Sequence, residues 1–134
     1  MEETNFLGLD EILAIHHDQI SRYGGSHGVR DLDLLISAVS RPQATFGGND
    51  LYSDIFSKAA ALIHSLVLNH PFIDGNKRTS VVATVRFLFI NHYVLKMTKK
   101  ELIELPLKID SKKLDLEQLA LWFKKHSKRL GNKD

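Results

Sequence analysis

Residues 69–80, NHPFIDGNKRTS, place five kinds of reactive or charged side chain around one glycine. His70 can take a proton from a hydroxyl group, and Asp74 can hold a divalent cation such as magnesium. Gly75 lets the backbone approach a ligand closely. Three donors suited to phosphate oxygens follow it: Asn76, Lys77 and Arg78. A base, a metal ligand and an anion site together describe attack by a hydroxyl on a phosphorus atom.

Two apolar segments flank this polar stretch, and they predict a helix–loop–helix junction. Apolar residues recur at steps of three and four over residues 56–70 and again over residues 81–89. Pro71 ends the first helix because it has no N–H to donate and restricts the residue before it. The second helix is expected to begin at residue 76 or 77. Its first turn would present unpaired N–H groups and a partial positive charge, which attract anions.

The rest of the chain also favours helices, so the sequence predicts an all-α fold in a single domain, residues 1–134. The same spacing indicates four further helices: 9–20, 32–40, 98–105 and 114–126. Asp31 can cap the helix that follows it, and that helix ends before Pro42. Residues 41–54 form a long polar connection without periodicity, and such connections in small domains are often functional.

Composition excludes several classes of protein. With 134 residues, of which 43% are apolar, the chain can bury a real core. The absence of cysteine excludes disulfides, thiolate metal sites and a cysteine nucleophile. The start lacks a secretory signal and no apolar stretch is long enough for a membrane span, so we expect a cytoplasmic protein. The net charge of +2 is too small to indicate nucleic-acid binding, and the basic end from about residue 127 is interpreted as a solvated tail.

Each candidate residue also has a structural interpretation. Three histidines on apolar stripes are expected to be satisfied core residues: His16, His64 and His92. Taken singly, Asp74 could be a helix cap, and Lys77 and Arg78 an exposed first turn. Phe72 is interpreted as a plug that seats the loop in the core. A Walker loop is excluded because Asn76 stands where that motif needs glycine, and no glycine lies five residues earlier.

The segment HPFIDGNKR resembles the signature of the Fic superfamily, with Lys77 in place of its second glycine. That lysine marks the death-on-curing (Doc) toxin branch. Four stretches resemble this branch: ISRYGG at 20–25, GVRDLDLLISAVSRPQATFGG at 28–48, KAAALIHSLVLNHPFIDGNKRT at 58–79 and RFLFINHYVL at 86–95. The resemblance covers about residues 8–126. It implies a compact all-helical Fic/Doc domain with the motif loop between two central helices.

The resemblance also implies a role for each residue of the loop. His70 would be the general base that activates a target hydroxyl, and Asp74 would hold magnesium. The phosphates of ATP would be bound by a set of four: Gly75, Asn76, Lys77 and Arg78. The target protein would dock as an extended strand on a second loop: Thr45, Phe46, Gly47 and Gly48.

Lys77 separates two activities within this resemblance. Most relatives with glycine at that position transfer AMP from ATP to a protein hydroxyl. A lysine would crowd the anion site and add a charge, so the nucleotide is expected to present its γ-phosphate instead. The resemblance therefore implies a type II toxin with kinase activity, whose target is elongation factor Tu and whose effect is arrest of translation and growth. AMP transfer is the alternative.

An antitoxin partner follows from the same resemblance. A Phd-type antitoxin would fold its disordered C-terminal segment onto the toxin. Such complexes often repress their own operon, so contact with DNA would be indirect, through the antitoxin complex. A third hypothesis is a catalytically silent corepressor that only binds the antitoxin. The intact motif argues against it, because a decayed site would have lost His70 or Asp74 first.

Overall fold

The computed structural model describes residues 3–131, and helices dominate them. The helices are α1 (Leu9–Tyr23), α2 (Leu32–Ser40), α3 (Ile55–Asn69), α4 (Asn76–Ile90), α5 (Lys99–Asp110) and α6 (Leu116–His126). The short strands are β1 (Thr45–Phe46), β2 (Asn49–Asp50), β3 (Tyr93–Leu95) and β4 (Ser127–Arg129). The mostly helical architecture agrees with the predicted class, although the sequence indicated none of the strands.

Helix α3 is the element around which the others pack. It contacts α2, α4, α5 and α6. Its residues 59–61 are three consecutive buried alanines, whose small side chains let neighbouring helices approach closely. Further along, Leu62, Ile63 and Leu66 meet a core to which α4 contributes Phe87 and α6 contributes Phe123. A helix that is apolar on nearly every side is stable only when neighbours surround it, which explains its central position.

Local signals set most of the helix boundaries. Asp31 caps α2 by accepting a hydrogen bond from the Leu34 N–H at 3.0 Å, so the predicted helix 32–40 is confirmed. Asp54 caps α3 in the same way, with the N–H groups of Phe56 and Ser57 as donors. The prediction for α5 is wrong at its C-terminal end, because the helix continues to Asp110 rather than 105. Pro106 signals a stop in the sequence, but the helix continues through it, and Pro106 and Ile109 are both buried in the fold.

Two expectations about the outer parts of the chain are corrected. The predicted solvated tail is wrong for residues 127–129, because these form β4 and pair antiparallel with β3. Strands of three residues are too short to show a period of two in the sequence. Residues 132–134 of the predicted tail lie outside the described residues. His92 is exposed rather than part of the core, because α4 ends at Ile90 and its apolar stripe stops there.

The connection between α2 and α3 is a turn followed by a hairpin. Residues 41–43 form a 3₁₀ turn, and β1 and β2 pair antiparallel across Gly47 and Gly48. Both glycines have positive φ, at +60° and +82°, as a two-residue hairpin turn requires. The hairpin is anchored to α3, because the buried Lys58 ammonium donates to the Asp50 carboxylate at 3.2 Å.

Among residues 3–131, no helix is long and apolar enough to cross a membrane.

Candidate active site

Residues 70–75 connect the C-terminal end of α3 to the N-terminal end of α4. His70 follows the last helical residue and adopts a left-handed conformation, with φ 45° and ψ 54°. A left-handed backbone conformation at a residue other than glycine destabilises the fold by roughly 1–3 kcal/mol, so it persists only where neighbouring contacts fix it. Pro71 then turns the chain away from the helix axis. The surroundings that hold His70 come from the segment before α2.

Residues 28–31 pair with this loop through the backbone. The N–H groups of Arg30 and Asp31 both donate to the Pro71 carbonyl, at 2.7 and 3.1 Å. The Ile73 N–H donates back to the Gly28 carbonyl at 3.1 Å. Residues 71–73 of the loop are therefore hydrogen-bonded along one edge, rather than free.

The Arg30 side chain holds the end of α3. Its Nε donates to the His70 carbonyl at 2.6 Å, and its Nη2 donates to the Asn69 carbonyl at 2.8 Å. The last carbonyls of a helix have no hydrogen-bond partner within the helix and carry a partial negative charge. A guanidinium supplies both the donors and a compensating positive charge. Arg30 thus fixes the backbone on which the His70 imidazole stands.

An aromatic pair seats the loop in the core. Phe72 is 1% exposed, and its ring stacks on the His16 imidazole with the centroids 3.8 Å apart. The His16 Nε2–H donates to the Asp74 carbonyl at 2.8 Å. Burial is the main cause that lowers the pKa of His16, so the ring is neutral in the folded protein. The interpretations of Phe72 as a plug and of His16 as a satisfied core residue are both confirmed.

The Asn76 side chain holds the loop through two hydrogen bonds to the backbone of Phe72. Its Oδ1 accepts from the Phe72 N–H and its Nδ2 donates to the Phe72 carbonyl, both at 2.9 Å. The side-chain amide is therefore committed to the backbone of the loop, with one N–H remaining. In this position Asn76 shapes the site by holding the loop closed.

The Asp74 carboxylate stands at the outer edge of the loop. It accepts the Ser26 N–H at 3.1 Å and the Gly75 N–H at 2.8 Å, one on each oxygen. These two hydrogen bonds lower the pKa of Asp74, and the one from the Ser26 N–H contributes most. The carboxyl group is therefore an anion at neutral pH. A Cβ on Gly25 would lie 2.7 Å from the nearer Asp74 oxygen, so only glycine leaves the carboxylate room there.

Magnesium suits the free lone pairs of this carboxylate. In the described part of the chain, no group of three or more His, Cys, Asp or Glu side chains could hold a metal by itself. Magnesium commonly takes only one or two carboxylates and completes its shell with water and substrate phosphates. Asp74 therefore fits a magnesium ion that arrives with a phosphate ligand.

The first turn of α4 offers donors to an anion. Gly75 is the N-cap of the helix and supplies no side-chain cap, so the first N–H groups stay available. A Cβ on Gly75 would lie 2.9 Å from Ile20 Cδ1. The Arg78 guanidinium donates to the Gly24 carbonyl at 3.0 Å and lies over the Tyr23 ring. Within residues 3–131, the Arg78 Nε is buried and has no acceptor, so an anion beside it would supply one.

Lys77 points to a partner on another helix. Its Nζ lies 3.1 Å from Oδ2 of Asp110, the last residue of α5, and Oδ1 of the same carboxylate lies 3.4 Å from His70 Nε2. The Lys77 ammonium is the main cause that lowers the pKa of Asp110. Lys77 and Arg78 are therefore both engaged by the fold, rather than forming a freely solvated first turn.

A cleft of about 650 Å³ opens beside Lys77 and Arg78, between α1, α4 and α5. Its walls are mainly apolar and include Ile103 and Leu107, which are half exposed. Lys99 lines it as well, and no carboxylate of the described residues does. The cleft is therefore an apolar surface with a positively charged border.

The structure gathers six of the candidate residues at the loop between α3 and α4: His70, Asp74, Gly75, Asn76, Lys77 and Arg78. The other four, residues 45–48, form the tip of the hairpin, where the Phe46 side chain is 81% exposed. The hairpin is anchored at Lys58, which lies about 18 Å from His70 along α3.

Three supporting residues were not identified from the sequence as part of the site: Arg30, Ser26 and Asp110. Arg30 and Ser26 act on the loop from the stretch SHGVRD, whose only local signal was the Asp31 cap. Asp110 lies on a different helix, and no motif or spacing connects it to His70.

Comparisons with known proteins agree on one family. A family model described as Fic/DOC family matches residues 6–88. A protein named "Toxin Doc" from Mycolicibacterium smegmatis is 54% identical over 69 residues, which cover 52% of this chain and 53% of that protein. A protein named "Protein kinase doc" from Escherichia phage P1 is 33% identical over 79 residues, which cover 59% of this chain and 62% of that protein. The chain thus spans between half and two thirds of these relatives.

Acid should destabilise the fold through His16. The folded protein lowers the pKa of His16, whereas the unfolded chain takes up a proton below about pH 6.5. Below about pH 6.5 the unfolded state therefore binds more protons than the folded state. The free energy of unfolding has its full value above this pH and falls as the pH decreases. We expect a loss of stability between about pH 7.5 and pH 5.5.

Urea unfolding at the two pH values measures this loss. His16→Gln keeps an N–H donor but cannot be protonated, so it should lose less stability than the wild type on acidification. His17→Gln alters an exposed neighbour on α1 and serves as the control. An equal pH dependence in the wild type and His16→Gln would show that His16 is not the group responsible.

Proposed function

The chain belongs to the Fic/DOC family, and we propose that it is a Doc-like toxin that transfers the γ-phosphate of ATP to a hydroxyl group of a protein. The observation that carries the proposal is that one short loop holds His70 and Asp74 and leads directly into the uncapped first turn of α4. The names of the two relatives, a toxin and a protein kinase, support both parts of it.

His70 is the residue proposed to act as general base. Its side chain is 44% exposed, so a hydroxyl from another protein can reach it. Arg30 holds its backbone, so the imidazole stands at a defined place on the end of α3. Taking the hydroxyl proton makes the oxygen a better nucleophile toward phosphorus, an effect of about 10²–10⁴ in rate.

The phosphates of ATP are proposed to bind at the first turn of α4. The uncapped N–H groups after Gly75 and the Arg78 Nε, which lacks an acceptor, are donors suited to phosphate oxygens. Asp74 would hold magnesium, which when bound neutralises phosphate charge and orients the phosphate oxygens. Asn76 contributes by keeping the loop closed around this position.

Lys77 is the reason to prefer γ-phosphate transfer over AMP transfer. It stands in the first turn of α4, where a glycine would leave open space, and its ammonium lies beside the Asp110 carboxylate near His70. A side chain and a cation at this point favour a different placement of the nucleotide. The name of the phage relative points the same way.

Elongation factor Tu is the proposed target, in the cytoplasm, with arrest of translation as the outcome. The hairpin of β1 and β2 is the proposed docking element. In the described part of the chain, these strands pair only with each other, so an extended segment can add to a free edge. The Phe46 side chain at the tip offers an exposed apolar contact.

A transfer assay with ATP labelled at either the α- or the γ-phosphate tests this function. We expect elongation factor Tu to acquire label only from the γ-position, in the presence of magnesium. His70→Ala should reduce transfer at least about 100-fold, because it removes the base without removing a core side chain. His17→Ala, an exposed histidine on α1, is the matched control and should retain activity.

The other outcomes of this assay are distinct. Label from the α-position would make the protein an AMP transferase despite Lys77. No label from either position would contradict phosphorylation of this target, and full activity of His70→Ala would exclude the proposed base.

A Phd-type antitoxin is the proposed partner, and the cleft between α1, α4 and α5 is the proposed site for its C-terminal segment. The apolar walls suit the apolar face of a helix, and the border of Lys77, Arg78 and Lys99 suits acidic residues. A segment in this cleft would cover Lys77 and Arg78 and so exclude ATP. Contact with DNA would be made only through the antitoxin.

Ile103→Glu tests the assignment of the cleft. Ile103 is 54% exposed, so the substitution spares the core, but it places a negative charge against an acidic, apolar partner. We expect the affinity for the Phd-type antitoxin to fall at least about tenfold in a calorimetric titration. Leu121→Glu, at a 62% exposed residue of α6, is the control. Equal affinities of the two variants would exclude this cleft.

A further inference from the structure

The Asp110 carboxylate connects the proposed base to the lysine of the motif. Its two oxygens face different groups, with Oδ2 3.1 Å from Lys77 Nζ and Oδ1 3.4 Å from His70 Nε2. All three side chains are partly exposed, between 36% and 44%. The contact joins the end of α5 to both ends of the loop that links α3 and α4.

We propose that Asp110 is a positioning residue that keeps the proton of neutral His70 on Nε2, so that Nδ1 is the nitrogen that accepts the hydroxyl proton. The part played in transfer rests on the proposed function. The choice of tautomer does not, because it follows from contacts within the chain.

Electrostatics gives the reason for this choice of nitrogen. A neutral imidazole carries one N–H, and the neighbour of each nitrogen decides where it resides. A carboxylate 3.4 Å from Nε2 favours the proton there. Lys77 keeps that carboxylate ionised and in place, because the ammonium lies at hydrogen-bond distance and lowers the pKa of Asp110.

The same contact would assist the transfer step. The target hydroxyl oxygen forms a bond to the γ-phosphorus while its proton moves to His70 Nδ1. The bond between the γ-phosphorus and the bridging oxygen breaks, and its electron pair leaves with ADP. His70 is then a cation with an N–H on both nitrogens, and the Nε2–H faces Asp110. The carboxylate stabilises the charge that develops on the base.

Nitrogen-15 NMR of the histidine rings tests the tautomer in the intact protein without any substrate. Spectra at alkaline pH distinguish Nε2–H from Nδ1–H, and the His70 signals are identified by their loss in His70→Ala. We expect the Nε2–H tautomer in the wild type and a mixture in Asp110→Ala. Glu104→Gln removes a partly exposed negative charge from the same helix and should leave His70 unchanged. An Nδ1–H tautomer in the wild type, or no change in Asp110→Ala, overturns the proposal.

Kinetics separates positioning from a purely structural role. With ATP and the target, Asp110→Ala should lower kcat about tenfold while the KM for ATP stays within about twofold. An unchanged kcat contradicts the role in transfer. If the tautomer depends on Asp110 but the wild type transfers no label, only the proposed function fails. If transfer occurs and the tautomer does not depend on Asp110, only this inference fails.

Discussion

The pairing of residues 28–31 with the loop after α3 is the constraint on which the rest of the site depends. Pro71 cannot donate, but its carbonyl accepts two N–H groups from this segment. Arg30 satisfies the last carbonyls of α3 while His70 occupies a left-handed conformation. Without these bonds the strained backbone at His70 would relax, and the imidazole would lose its position. Ser26, in the same stretch of chain, also fixes the Asp74 carboxylate.

The polar residues of the loop divide into those that hold it and those left for a ligand. Asn76 and His16 are occupied by the backbone of the loop, and their bonds satisfy groups that would otherwise be buried without partners. The His70 ring, the Asp74 carboxylate and the Arg78 Nε retain capacity for other partners. This division explains how a short segment can be both rigid and reactive, since separate side chains serve the two requirements.

The elements that could be predicted from the sequence are those with local signals. The boundaries of α2 and the start of α4 follow from the Asp31 cap and from Pro71 and Gly75, which act within a few residues of their own positions. Elements that depend on distant segments could not be predicted in this way. Pro106 is buried inside α5, which packs on α3 and α4, and β4 pairs with β3. Arg30 and Asp110 contribute through contacts 40 residues apart in the chain, which neither motif nor periodicity indicates.

Binding of ATP with and without magnesium tests most directly whether this loop is a nucleotide phosphate site, since it needs no knowledge of the target protein. Calorimetric titration would compare the wild type with Asp74→Asn, which keeps an oxygen for a backbone N–H but removes the charge that holds a metal. Asp33→Asn, an exposed residue of α2, is the control. We expect ATP to bind the wild type and Asp33→Asn in magnesium, and Asp74→Asn to bind at least about tenfold more weakly. Equal binding of ATP by all three proteins would contradict the assignment of this loop.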